Sequence, residues 1–205
     1  MNGNISPTKG NLMATKKSLA LARVGYDLMD RKRNILVREM MALIDKANSL
    51  RGRIDDTYGT AYQALESANI SMGQEITEAI ARSIPEEKGL SMDFRSVMGV
   101  ELPSVALEDS DLRLEYDMSS SNAAFDEAFV RFHEVKLMLA ELAELENSVY
   151  RLAVAIKKTQ SRANALKNII IPGFTGTVKF ITDALDEKDR EEFSRLKVIK
   201  RSKEN

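Results

Sequence analysis

The chain has 205 residues, 43% apolar and 30% charged, which is enough to bury a core and suits long solvated helices better than a compact ball. It has no Cys, which excludes disulfides, thiolate nucleophiles and sulfur metal sites and fits a reducing cytosol. No apolar run approaches the ~20 residues of a membrane span. Lys9, Lys16, Lys17 and Arg23 interrupt any apolar signal segment, so a soluble protein is expected. The net charge of −1 hides an uneven distribution: +7 over residues 1–54, −14 over 55–146 and +6 over 147–205. Basic ends and an acidic middle imply different partners for different regions.

With only 4 Pro and 10 Gly, long stretches lack helix breakers. From Leu12 a step of seven gives Leu19, Tyr26, Arg33, Met40, Ala47 and Ile54. Three positions on lie Thr15, Ala22, Met29, Leu36, Leu43, Leu50 and Thr57. An apolar 3.5-residue repeat sustained over seven heptads predicts a coiled-coil helix, because it keeps one stripe facing a partner. Lys16, Arg23, Arg31, Arg38 and Arg51 fall on the solvated side.

Residues 60–82 keep a helical pattern through Leu65, Ala68, Met72, Ile76 and Ile80, ended by Ile84-Pro85. Alternation at Leu90, Met92, Phe94, Val100 and Leu102 predicts a β-hairpin over 90–107, turning near Arg95 to Gly99. Such a hairpin is marginal alone and must lean on helices or another subunit. An acidic loop is expected at 108–121, with Ser121 or Asn122 capping the next helix. A second seam follows: Val135, Leu142, Val149, Ile156, Ala163 and Ile170, with Met138, Leu145, Leu152, Thr159 and Leu166 between them. Pro172-Gly173 interrupts it, and the stripe resumes at Phe174, Val178, Ile181 and Leu185 in a shifted register. This predicts one helix over roughly 122–198, with a kink or a lost hydrogen bond near Ile171-Pro172.

Two seams of similar length in one chain predict that they pair with each other, antiparallel. Sixty paired residues would extend about 90 Å. The expected fold class is all-α: a long antiparallel two-helix coiled coil from the N- and C-terminal helices, with a short helical and β-hairpin insertion in the middle. The expected parts are an N-terminal long helix (1–60), a helix extension with hairpin and acidic loop (61–121), and a C-terminal long helix (122–205).

Signals for chemistry are few. No P-loop pattern occurs, and Lys9-Gly10-Asn11 has the wrong order. The single His133 is read as a packing or surface residue, since a metal site needs several converging ligands. The pairs Asp55-Asp56, Glu86-Glu87 and Glu191-Glu192 are sequence neighbours, which diverge by about 100° on a helix and do not form an acid/base pair. No Ser-His-Asp arrangement is credible. The basic groups Lys16-Lys17, Arg31 to Arg33, Lys157-Lys158 and Lys197 to Lys203 suit a solvated coiled-coil face. They lack the interleaved aromatics of a nucleic-acid binder. Met29, Met40, Met41 and Met138 are read as core filler. No catalytic residue, cofactor or metal site is expected.

The two ends are more specific. Residues 7–36 read PTKGNLMATKKSLALARVGYDLMDRKRNIL, residues 156–172 read IKKTQSRANALKNIIIP, and residues 180–200 read FITDALDEKDREEFSRLKVIK. They resemble the D-subunit family of the V-type (vacuolar and archaeal-type) rotary ATPases. The likeness covers both long helices, about two thirds of the chain. The strongest runs are Pro7-Thr8-Lys9, Leu28 to Arg33, Lys157-Lys158-Thr159 with Arg162, Asn164-Ala165-Leu166, Ile171-Pro172, Glu191-Glu192-Phe193 and Arg195-Leu196-Lys197. The family usually carries more basic residues where Gln160 and Ser161 stand, and an apolar residue at Thr15.

The resemblance implies a non-catalytic central rotor shaft. Its terminal half would insert into a ring of three A and three B subunits. Its lower part would bind the small F subunit and rest on the funnel-shaped component (C or d) over the membrane ring. ATP hydrolysis in the ring would turn the shaft and drive ion transport, or ion flow would drive synthesis. In several family members the hairpin region influences ATPase activity. The chain would be cytoplasmic, peripheral to the membrane in the soluble V1/A1 sector, with no membrane insertion of its own. The expected ring-facing tip carries Lys9, Lys16, Lys17, Arg195, Lys197 and Lys200, whose charge suits a bearing that slides without large apolar desolvation. The competing reading is a free-standing coiled-coil adaptor or scaffold, which would share the seam but need not share these runs. The F-type γ shaft is an architectural analogue whose sequence signature is missing here.

Overall fold

A computed structural model of the chain describes residues 6–85, 89–107 and 116–204. Its elements, in order, are α1 (Lys9–Met72), α2 (Gln74–Ser83), β1 (Leu90–Val97), β2 (Val100–Leu107), α3 (Ala123–Ala165), a π turn (Leu166–Ile170) and α4 (Ile171–Glu204). The Glu86-Glu87 pair and residues 108–115 of the expected acidic loop lie outside the described residues. The chain divides into two compact units, one of Met1–Ile35 and Ile156–Asn205, the other of Leu36–Ala155.

In the first unit α1 begins where Thr8 accepts the Asn11 backbone N–H on its hydroxyl, 3.2 Å away. This is an N-cap that satisfies an otherwise orphaned donor. The seam positions of α1 face inward, with Thr15 and Ala22 buried. Thr15, a polar residue in the seam, donates its hydroxyl to the Asn11 carbonyl at 2.7 Å. Its burial therefore leaves no unpaired donor. Arg33 donates to the Gln160 side-chain oxygen at 2.8 Å and pairs with Asp30 at 2.7 Å. Gln160 in turn donates to Asn164 at 2.8 Å. A rising position in α1 meets a falling position in the second strand of the seam: a side chain at Gly25 would sit against Leu166, and Arg33 meets Gln160. The pair is antiparallel, as expected.

The π turn explains the shifted register. Its signature is the Ile171 N–H donating to the Leu166 carbonyl, five residues back. Ile170, assigned to the seam from sequence, is 39% exposed, and Ile171 takes its place half-buried. The stripe then runs Ile171, Phe174, Val178, Ile181 and Leu185, with Ile181 fully buried. The interval from Ala163 to Ile171 is one residue longer than a heptad. The wide turn absorbs that residue and also gives the Pro172 ring room beside a carbonyl it would strike in a plain α-helix. The expected disturbance at Ile171-Pro172 is thus a π turn with the helix continuing on both sides.

In the second unit Leu36, Leu43, Ala47, Leu50, Ile54, Ala61 and Ala68 of α1 are buried, as are Val135, Leu145 and Leu152 of α3. Burying each large aliphatic stabilises the pair by roughly 1.5–3 kcal/mol. Lys46–Glu141 and Arg51–Glu146 ion pairs, at 2.8 and 2.6 Å, flank the seam. They are largely exposed and contribute little. Tyr58 and Tyr62 stack at 5.8 Å and meet Phe132 edge-on. Met29, Met40 and Met138 are half-buried, whereas Met41 is 50% exposed, so it fills no core.

The helical pattern of 60–82 is broken at Gly73, whose φ of +90° suits glycine and separates α1 from α2. Below that break a small core gathers Ala68, Ile80, Tyr116 and Phe125, with Met72, Ile84 and Phe129 packed on it. The Tyr116 ring lies edge-on to both Phe rings at 5.1 Å, and its hydroxyl donates to Asp126 at 2.8 Å. Burial, this hydrogen bond and the Asp126 charge push the Tyr116 phenol up to about 12. Of the two candidate caps of α3, Asn122 takes the role, accepting the Phe125 N–H at 2.9 Å. It also donates to Ser71 of α1 at 2.6 Å.

Candidate partner interfaces

The six residues assigned to a ring-facing tip all fall in the first unit and are all exposed. Lys9 opens α1, and Lys16 and Lys17 follow in its second and third turns. Arg195, Lys197 and Lys200 lie in the last turns of α4, and Arg201 and Lys203 in its final turn complement the carboxyl end of the helix dipole. From Asp186 to Lys203 every residue of α4 is exposed. This stretch holds itself together by local pairs: Arg190–Glu187 at 3.5 Å and Arg195–Glu191 at 3.9 Å.

The charge reading missed the apolar side chains among these cations. Phe193 is 69% exposed, Leu196 65%, Val198 67% and Ile199 53%. Large apolar groups gathered on an exposed helix mark an interaction site more strongly than scattered lysines do. The sequence signal was available: Phe193, Leu196 and Ile199 keep helical spacing beyond the last seam residue, Leu185.

The second unit carries the hairpin. All eight pairs from Leu90↔Leu107 to Val97↔Val100 are antiparallel and in register. Met98 at φ +50° and Gly99 at φ +76° form the two-residue turn, the left-handed pair that matches strand twist. The hairpin leans on helices, as a marginal element must. Glu144 of α3 accepts the Val105 backbone N–H at 2.8 Å and the Ser104 hydroxyl at 3.4 Å. Arg151, one heptad on, donates to the Glu101 carbonyl at 3.1 Å. Its guanidinium also lies 5.3 Å from the Phe94 ring centre. Leu102 is fully buried and Pro103 buried. The outer strand β1 leaves Leu90, Met92 and Phe94 each more than half exposed.

Among the described residues no group of three or more His, Cys, Asp or Glu converges as a metal site, and no helix is long and apolar enough to cross a membrane. Each unit pairs heptad-patterned helices; the first carries an exposed charged and apolar stretch and the second a clamped hairpin. The profile of the ATP synthase D-subunit family matches residues 11–201, and the chain belongs to that family. It is 44% identical over 197 residues to the V-type ATP synthase D subunit of Thermotoga neapolitana, covering 96% of this chain and 97% of the relative. It is 37% identical over 200 residues to the A-type ATP synthase D subunit of Thermococcus kodakarensis, covering 96% and 94%. To the A-type ATP synthase D subunit of Methanosphaera stadtmanae it is 33% identical over 201 residues, covering 97% and 94%. The family expected from the terminal runs is therefore the family found.

Proposed function

We propose that this chain is the central-stalk rotor of a V-type or A-type ATPase, without catalysis of its own. It would couple ATP hydrolysis or synthesis in a ring of A and B subunits to rotation of the membrane ring and ion transport. The observation that carries the proposal is the buried heptad seam within each unit, taken with the near full-length family match. A shaft that transmits torque needs stiffness, and α1 runs 64 residues without a break. The F subunit and the funnel-shaped component would bind away from the ring, in the soluble sector on the cytoplasmic side.

In this proposal Lys9, Lys16, Lys17, Arg195, Lys197 and Lys200 face the ring. Phe193, Leu196 and Ile199 sit among the C-terminal three, so the contact combines a few apolar anchors with charge. Neutralising the six weakens assembly most at low salt, and the difference from the native chain shrinks as salt screens the ring's field.

The test is co-purification with the A, B and F subunits, followed by ATPase assay with and without this chain. One copy per A/B ring and a change in turnover are expected. A chain that binds neither the ring nor the F subunit overturns the proposal in favour of a free-standing adaptor.

A further inference from the structure

The two edges of the hairpin are treated differently. The turn closes at Val97↔Val100, so every second pair from there exchanges both ladder hydrogen bonds. The pairs between them, Ser96↔Glu101, Phe94↔Pro103, Met92↔Val105 and Leu90↔Leu107, point their N–H and C=O groups outward. The α3 contacts agree with this phase. Glu144 takes the outward N–H of Val105 and Arg151 takes the outward C=O of Glu101. Between them Pro103 has no N–H to offer. The outer edge of β2 is thus closed to further strands at three successive outward positions.

The outer edge of β1 has none of this protection. Among the described residues the sheet has two strands, and no partner meets the outward groups of Leu90, Met92, Phe94 or Ser96. Natural edges are usually blunted by charge, Pro or a bulge. Here three of the four outward positions carry Leu, Met and Phe at 56%, 54% and 55% exposure; charge falls only at the intervening Asp93 and Arg95, the latter paired with Glu39 of α1 at 3.9 Å, and the register has no bulge. Because they alternate, these three side chains share one face of the strand.

We propose that β1 is a docking edge for an extended segment of a second polypeptide, which adds a third strand to the hairpin. Backbone donors and acceptors at strand spacing select an extended chain over a helix. The Leu90, Met92 and Phe94 face selects apolar side chains at alternate positions of the incoming segment. The clamps of Glu144 and Arg151 hold the hairpin still, so little order is lost on docking. That the segment comes from a neighbouring ATPase subunit rests on the function proposed above.

The test is amide hydrogen exchange of the full chain, alone and in the complex assembled with the A, B and F subunits. In the free chain Ser91, Asp93, Arg95 and Val97 exchange slowly, and Met92, Phe94 and Ser96 fast. On assembly the fast set becomes slow. Met92→Pro removes one outward donor while leaving the inner ladder intact, as Pro103 does in β2, and speeds dissociation of the partner about tenfold. Slow exchange at Asp93 and Arg95 in this variant verifies that the hairpin is folded. Met92→Lys, which keeps the N–H and charges the edge, has the same direction of effect. Assembly that leaves the β1 outward amides fast overturns the docking edge but leaves the rotor proposal standing. Protection that appears in the free chain as its concentration rises overturns it in favour of a second copy. Failure to assemble at all overturns both.

Discussion

Pro172→Ala should leave the π turn in place, because the seam rather than the proline requires it. Straightening the turn without removing a residue would rotate everything after it by about 100°. Ile181, now fully buried, would leave the seam, as would Ile171, Phe174 and Val178, which are half-buried. At roughly 1.5–3 kcal/mol for the first and about half that for each of the others, re-phasing costs on the order of 5 kcal/mol. Removing the proline relieves at most ~3 kcal/mol, and less here, because the wide turn already accommodates the ring. The π turn therefore survives in Pro172→Ala. Deleting Ile170 in the same variant restores a seven-residue interval, and the turn becomes α-helical. The assay is an NMR or crystallographic determination of the partner of the Ile171 N–H, together with Tm. Pro172→Ala should keep the bond to Leu166, and the double variant should lose it with Tm equal or higher. A straight helix in Pro172→Ala, with Ile170 buried and Ile171 exposed, would refute the reasoning and make the proline the cause.

Three further outcomes follow from the packing. Glu144→Ala leaves the Val105 N–H without its acceptor and should weaken hairpin docking by about 1–3 kcal/mol, read as faster exchange at Val105 with α3 unaffected. Met98→Gly or Met98→Asn relieves a left-handed residue with a Cβ and should stabilise the hairpin by about 1 kcal/mol, seen as slower exchange at the inner amides of Asp93 and Arg95. The Tyr116 phenol, raised from about 10 to about 12, is more protonated in the folded state. Its contribution is whole below pH 10 and is lost as pH rises toward 12. Thermal stability should fall in that window, and Tyr116→Phe should flatten the fall; an unchanged slope in that variant would assign it to other groups.

The seam was legible because a 3.5-residue repeat is a strong signal. Leu36, Leu50, Leu145 and Leu152 were assigned from spacing and are buried at 3% exposure or less. The hairpin was legible from alternation, and its turn narrowed to Met98-Gly99. The π turn was visible only as a shifted register, since a proline and a one-residue excess leave the same trace in sequence. The break at Gly73 was missed because a single glycine inside an apolar stripe reads as tolerated. The clamps of Glu144 and Arg151 had no sequence signal at all. Both are ordinary solvated residues in the heptad pattern, and their roles depend on a hairpin some 40–50 residues away in the chain. At the exposed end, counting charges found the lysines and passed over Phe193 and Leu196.

Arg33 and Gln160 bear on how faithfully the two helices find each other. A seam of Leu, Ile and Ala packs almost as well after a slip of one heptad as before it. Slipped one way, the guanidinium would face Lys167; slipped the other, it would face Ala153 and lose its acceptor. In either case the Gln160 amide oxygen would be left against an apolar ring or thioether, Tyr26 or Met40. With the Lys46–Glu141 and Arg51–Glu146 pairs and the Tyr58, Tyr62 and Phe132 cluster, this polar pair helps turn a set of similar alignments into one that the chain can select as it folds.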